Sequence, residues 1–145
     1  MGTHADRGDC GRPDGHVAQA GFVLGGGDGC IAEARRLAAV FLEQARSDHD
    51  LPVSAHVTDL TQLVVSELVT NARKYAPGLV VMELCVTTDA VHIGVLDSDP
   101  TIPEARPADA GRIGQHGLEI VRAVALDLRF RNEAVGKRIT ARIGL

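Results

Sequence analysis

The sequence predicts an α+β fold, in which helices pack on one face of a mixed β-sheet. Two observations predict this class. Apolar residues recur at helical spacing in two long consecutive segments, and shorter β-rich runs occur in pairs that are separated by turn residues. The expected order is strand, two helices, hairpin, loop, helix and hairpin. A chain of 145 residues that is 45% hydrophobic can bury one core of this kind.

The N-terminal part is expected to hold a tail and the first strand. Residues 1–16 are rich in Gly, Asp, His and Arg, so they cannot offset the entropy of ordering. We therefore expect a disordered tail, followed by a single domain over residues 17–145. The strand covers Val17–Leu24 and ends at the glycine triplet 25–27. We interpret this triplet as a turn, because no Gly-Lys-Ser/Thr follows it as in a phosphate-binding loop.

Two helices are expected after the glycine triplet. Asp28 is in the right position for an N-cap, and apolar residues continue at helical spacing to about Arg46. Pro52 suits the first turn of the second helix, and Pro77 stops that helix near Ala76. Together the two helices are expected to supply most of the helical layer.

The second half of the chain is expected to hold two hairpins, a loop and a short helix. Prolines and glycines separate the two pairs of β-rich runs. The expected elements are strands Leu79–Thr87 and Ala90–Leu96, the loop Ser98–Gly114, a helix of about ten residues near Leu118, and strands Asp127–Asn132 and Lys137–Ile143.

Glu67 and Asn71 are the first candidate site residues. They are four apart in the second helix, so their side chains project from one face, one turn apart. Glu67 is suited to act as a base or to position water, and the Asn71 oxygen suits a hard cation such as Mg²⁺. A Glu and an Asn on a helix are more often simply solvated. The functional interpretation gains support from Asp97, an acid directly after a strand, and from a glycine-punctuated loop that opens a helix.

Composition disfavours several other classes of protein. With a net charge of -4, no basic block and few aromatic residues, the chain is poorly suited to bind nucleic acid directly. No apolar run approaches the roughly 20 residues of a membrane span, so we expect a cytoplasmic protein without membrane association. Cys10, Cys30 and Cys85 match no zinc spacing and are expected to be free thiols in a reducing compartment.

The segment SELVTNA at residues 66–72 resembles the corresponding helix of the Bergerat-fold ATPases, which include gyrase-type ATPases and histidine kinases. It is most similar to that of the anti-sigma factor serine/threonine kinases, and the likeness extends over most of the chain. The resemblance implies a two-layer Bergerat sandwich with ATP and Mg²⁺ as cofactors. It also implies that Glu67 is the catalytic base, that Asn71 holds Mg²⁺ and that Asp97 accepts a hydrogen bond from the adenine amino group.

A second glycine box of the same family is matched just before the third helix. In that box, small residues let the backbone approach phosphates at a helix N-terminus. The matching residues, which the resemblance implies bind the nucleotide, are Gly114, Gln115, His116, Gly117 and Leu118. The loop Ser98–Gly114 corresponds to the ATP lid of the family, and Gly136-Lys137 corresponds to its last glycine turn.

Two basic residues near these motifs have further interpretations. Lys74 corresponds to a lysine that reaches phosphate in the histidine-kinase version of the helix, but a solvated lysine at a helix end fits equally well. Arg138 stands where the last strand of the family often has a Thr that supports adenine binding. We therefore expect Arg138 to weaken the binding of ATP.

The resemblance implies an anti-sigma regulatory factor that phosphorylates a serine of an antagonist protein and controls a sigma factor by partner switching. Arg35 aligns with the arginine that such proteins use to contact both partners, although a plain surface arginine fits as well. A homodimer through Val17–Arg46 is expected. The alternative is a non-catalytic protein-binding module with weak or structural nucleotide binding, which the residues after Asp97 and at Arg138 favour.

Overall fold

The computed structural model describes residues 16–25, 27, 29–75, 78–97, 117–133 and 136–145. The expected order of elements is confirmed within these residues. The elements are β1 (His16–Leu24), α1 (Cys30–His49), α2 (Ala55–Tyr75), β2 (Val80–Thr87), β3 (Ala90–Asp97), α3 (117–124), β4 (Asp127–Glu133) and β5 (Gly136–Gly144). The expected tail before β1 and the expected lid after β3, with Gly114, Gln115 and His116, lie outside the described residues.

The five strands form one sheet in the order β1-β2-β3-β5-β4. Every neighbouring pair is antiparallel, so the α+β class is confirmed but the sheet is not mixed as expected. The reason lies in the connections. Each hairpin reverses the chain, and the pair α1 and α2 returns it to the end where β1 stopped, so β2 runs against β1. The single helix α3 makes β4 parallel to β3, but β5 lies between them.

Alternating side chains divide the sheet into an apolar face and a polar face. The helices α1, α2 and α3 all contribute to one core with the apolar face. Its largest fully buried side chains include Leu42, Leu68, Met82, Leu84, Ile93 and Ile143. The polar face carries Glu83, Arg138, Thr140 and Arg142 at the alternate positions of β2 and β5. None of the described helices has the length and the apolar content that crossing a bilayer requires.

The connection between α1 and α2 differs from the expected one. α1 continues to His49 and ends at Asp50, whose backbone is left-handed with φ 53° and ψ 46°. α2 begins directly after Ser54, whose hydroxyl accepts a hydrogen bond from Val57 N at 3.2 Å. Pro52 therefore precedes the helix instead of occupying its first turn, because Ser54 supplies the N-cap.

The turn between β1 and α1 contains the glycine triplet. Gly27 has a φ of 119°, a conformation that residues with a side chain rarely adopt. This agrees with the interpretation of the triplet as a turn. The expected N-cap Asp28 lies outside the described residues, and the N-cap position of α1 is occupied by Gly29, which forms no side-chain cap.

Neither of the two cysteines that the structure describes forms a disulfide, and both are buried. Cys30 is the first residue of α1, whereas Cys85 lies within β2 on the polar face of the sheet. The prediction that these two cysteines are thiols and not disulfide partners is confirmed.

Candidate functional site

Two polar side chains are buried at one end of the sandwich. Asn71, near the end of α2, is 7% exposed, and Asp97, the last residue of β3, is 5% exposed. Asp97 is paired with Val80 at the start of β2 and with Lys137 near the start of β5. We call this end of the sandwich, where β2 and β5 begin and β3 ends, the site end. Because burial of polar groups is costly, they mark a candidate site.

Glu67 lies against the start of α3. A Cβ placed on Gly117 would be 2.6 Å from Glu67 Oε1, closer than real side-chain carbons approach other atoms. A residue with a side chain would clash here, so only glycine lets the first described residue of α3 lie directly beside the Glu67 carboxylate. Glu67 is half-buried and precedes Asn71 by one turn of α2. The structure therefore brings Glu67 together with the end of the predicted glycine box.

Gly136 makes an even closer contact on the other side of the site end. A Cβ at Gly136 would collide with the backbone carbonyl of Asp97. The first residue of β5 can therefore pack against the end of β3 only because it has no side chain. This contact fixes the backbone from which the Asp97 carboxylate projects.

The sequence model of the histidine kinase-like ATPase domain matches residues 30–143, from the start of α1 to the last strand. The chain belongs to this family. None of the curated proteins compared with it matches.

Membership of the histidine kinase-like ATPase family supports an ATP-binding regulatory function, with ATPase or ATP-dependent kinase activity. Domains of this family bind ATP, usually with Mg²⁺. The general resemblance to these ATPases is thereby confirmed. The narrower likeness to anti-sigma factor kinases stays a prediction, as do the roles of the individual site residues.

The ATPase domain holds the other described site residues at or near the same end. Lys137 projects from β5 on the face that carries the helices, next to Asp97 in the register. Leu118 of α3 is partly buried against the core. Lys74 is exposed in the last turn of α2, where it meets solvent and is open to a ligand.

Arg35 lies on the outer surface of the helical layer. Its side chain is exposed on α1, and its Nη1 donates a hydrogen bond to Ser66 Oγ of α2 at 3.3 Å. Gln62 Nε2 donates to the backbone carbonyl of Arg35 at 3.0 Å. Arg35 is thus joined to the surface of α2 at the residue that directly precedes Glu67.

Arg73 was not among the residues that the sequence singled out. Its Nη1 donates to the backbone carbonyl of Gly27, which joins the last turns of α2 to the turn between β1 and α1. Its Nε is buried and has no hydrogen-bond partner among the described residues. Local spacing gives no signal for this contact, because its two residues are 46 positions apart.

Arg138 does not face the site end. Ile139 points into the core, so Arg138 projects from the polar face. There its Nη1 donates to Glu83 Oε1 at 2.6 Å and its Nε donates to Glu133 Oε2 at 2.8 Å. Burial lowers the pKa of Arg138, but the hydrogen bonds and charges of Glu133 and Glu83 outweigh it and raise the pKa. The Arg138 side chain therefore points away from the face on which Asp97 lies, and its expected effect on ATP binding stays a prediction.

Proposed function

We propose that the chain is an anti-sigma regulatory factor with ATP-dependent serine kinase activity toward an antagonist protein. The contact between Glu67 and Gly117 carries the proposal, because it puts a carboxylate at the start of a helix, where phosphates bind. At the same end, buried Asn71 supplies a metal ligand and buried Asp97 supplies a hydrogen-bond acceptor for adenine. The kinase subtype follows from the resemblance of the SELVTNA segment to the anti-sigma factor kinases.

The residues at the site end fit ATP and Mg²⁺. A Cβ on Gly117 would clash with Glu67 Oε1, so the Glu67 carboxylate packs directly against the backbone at the start of α3. Asn71 offers an amide oxygen, and Mg²⁺ is typically held by one or two protein oxygens together with substrate phosphates. The Asp97 carboxylate is a hydrogen-bond acceptor and therefore suits the amino group of adenine.

In the proposed reaction, these residues position groups and stabilise charge. Glu67 accepts the proton of the antagonist's serine hydroxyl while the hydroxyl oxygen bonds to the γ-phosphorus and the bond to the β-phosphate oxygen breaks. Asn71 holds Mg²⁺, which neutralises phosphate charge when it is bound. Asp97 orients the base by accepting its hydrogen bond.

Arg35 is the proposed contact for the sigma factor and for the antagonist. It is exposed, and its contact with Ser66 lies next to Glu67 along α2. We expect a protein that binds Arg35 to extend along α2 toward the turn that carries Glu67. Two partners that use the same arginine exclude each other, which is the physical basis of partner switching.

The proposal includes a homodimer through Val17–Arg46. β1 is an edge strand with no Asp, Glu, Lys or Arg, and its Val23 is 67% exposed. Edge strands usually carry charges that prevent pairing, as the other edge, β4, does with Arg129 and Arg131. Val23→Lys should therefore yield a monomer in sedimentation velocity. The control Phe130→Lys, on β4, should remain dimeric, and a monomeric wild type would contradict the dimer.

The kinase activity is tested by incubating the protein with γ-labelled ATP, Mg²⁺ and candidate antagonist proteins. Label should appear on a serine of one antagonist and disappear when that serine is replaced by alanine. Binding of ATP without transfer to any antagonist would refute the kinase activity and favour the non-catalytic binding module.

A further inference from the structure

The polar face of the sheet holds a cluster of three charged residues behind the site end. This charged triad consists of Glu83 on β2, Arg138 on β5 and Glu133 on β4. Arg138 lies 2.6 Å from Glu83 and 2.8 Å from Glu133, and the three side chains are only 13%, 11% and 23% exposed in the order Glu83, Arg138, Glu133. Solvent therefore screens the triad less than the surface pairs of this protein. Loss of one member would leave a poorly solvated charge without compensation.

The triad reaches over an intervening strand. β3 lies between β2 and β5, and Arg138 crosses it at Gly94, which is paired with Glu83 and Thr140. A Cβ at Gly94 would lie 3.7 Å from Arg138 Nη1, in ordinary contact. A longer side chain there would displace the guanidinium. A small residue at position 94 thus leaves room for one arginine to connect β2 with β5 and β4.

Two members of the triad, Arg138 and Glu133, lie next to the backbone around Asp97 in the sheet. Arg138 is paired with Leu96, which precedes Asp97, and Glu133 is paired with Gly136. Gly136 in turn packs on Asp97 so closely that a Cβ would not fit. A shift of β5 against β3 would therefore move the Asp97 carboxylate. Because a group that binds a ligand must be positioned to within about 0.5 Å, such a shift would weaken binding.

We propose that Arg138 is a positioning residue for Asp97, which it holds in place from the opposite face of the sheet through Glu83 and Glu133. This inference rests on the proposed role of Asp97 as the reader of adenine. Arg138 acts through the backbone, because its side chain lies on the face of the sheet away from the helices. Lysine cannot replace it, since a single ammonium group lacks the planar fork that serves two carboxylates on different strands.

The variant Arg138→Lys tests the proposal, with Arg142→Lys as the matched control. Arg142 lies on the same strand and face, but its partner Asp127, at 3.3 Å, is at the other end of the hairpin. The affinities for ATP and GTP are measured by calorimetry. Arg138→Lys should reduce the ratio of ATP to GTP affinity by about three- to tenfold, whereas Arg142→Lys should leave it unchanged. A purely structural role would lower the melting temperature without changing the ratio.

Amide hydrogen exchange without nucleotide gives a second readout. In Arg138→Lys, exchange should accelerate at Leu96, Asp97, Gly136 and Lys137 more than elsewhere in the sheet. If this variant fails to fold, the triple variant Glu83→Leu, Arg138→Met, Glu133→Leu replaces it, because apolar substitutes for a buried ion cluster often preserve stability. The triple variant should fold and should lose the preference for ATP.

The outcomes separate this inference from the proposed function. A wild type that prefers ATP, with the same ratio in the folded variants, overturns the role of Arg138 and leaves the role of Asp97 standing. Equal affinity of the wild type for ATP and GTP overturns the roles of both Arg138 and Asp97, because Asp97 then does not distinguish adenine from guanine.

Discussion

The two ends of the sandwich use polar residues in opposite ways. At the site end, Asn71 and Asp97 are buried although they belong to different elements. Glu67 and Gly117 are in contact although α2 and α3 are far apart in the sequence. These groups are brought together by the tertiary fold, and their burial costs stability unless a ligand or partner offsets it.

At the other end, several side-chain contacts join close neighbours in the sequence. The Ser54 hydroxyl caps α2, and Thr87 Oγ1 accepts a hydrogen bond from Ala90 N at 3.1 Å. Arg46 donates to Glu43 one turn away on α1, and this hydrogen bond lowers the pKa of the exposed Glu43 carboxyl. Contacts of this kind stabilise turns and helix ends in any protein. In this molecule, buried polar groups that the fold brings together at the site end indicate function, whereas polar contacts between sequence neighbours indicate folding.

The largest expected effect of a substitution at the site end is on catalysis. Glu67→Gln keeps the shape of the side chain but removes the base, so phosphotransfer should fall by about 10²- to 10⁴-fold while ATP affinity changes little. The control is Glu43→Gln, an exposed glutamate at the other end of the helical layer, which should transfer label at the wild-type rate. Both rates are measured with γ-labelled ATP. Full transfer by Glu67→Gln would remove the residue from its assigned role.

A smaller effect is expected on the recognition of the base. Asp97→Asn offers a donor where the adenine amino group also donates, so ATP binding should weaken by about 1–3 kcal/mol. Calorimetry gives this difference directly. GTP should bind the wild type less tightly than ATP for the same reason. An Asn variant with undiminished ATP affinity would show that Asp97 does not contact the base.

The smallest expected effect concerns the end without the site. Ser54→Ala removes the N-cap of α2 and should lower the free energy of unfolding by about 1 kcal/mol, measured by denaturant titration. ATP affinity should not change, because the cap is at the opposite end of α2 from Asn71. A loss of ATP affinity without a loss of stability would contradict the separate roles of the two ends.

Much of the fold can be predicted because its signals are local. The hairpin of β2 and β3 follows from β-rich runs around Thr88-Asp89, and β3 ends at Asp97, one residue beyond the expected limit. That Glu67 and Asn71 share one face of a helix follows from their spacing of four residues.

Other features depend on contacts that no local pattern encodes. The partners of Arg138, Glu83 and Glu133, lie on other strands and depend on the register of the sheet. The contact of Arg73 with Gly27 depends on how α2 packs beside the turn before α1. The antiparallel sheet depends on the insertion of β5 between β3 and β4. In each case the missing information is tertiary.

The buried thiols allow the opening of the molecule to be timed by chemical labelling. Cys30 and Cys85 are 7% and 0% exposed, so a thiol reagent can modify them only during transient opening. Cys30 lies beside the glycine turn at the site end, and Cys85 lies within the sheet. Their labelling rates, resolved by mass spectrometry of the two peptides, therefore compare local opening near the nucleotide with opening of the whole sheet. The native chain carries both reporters without any added probe.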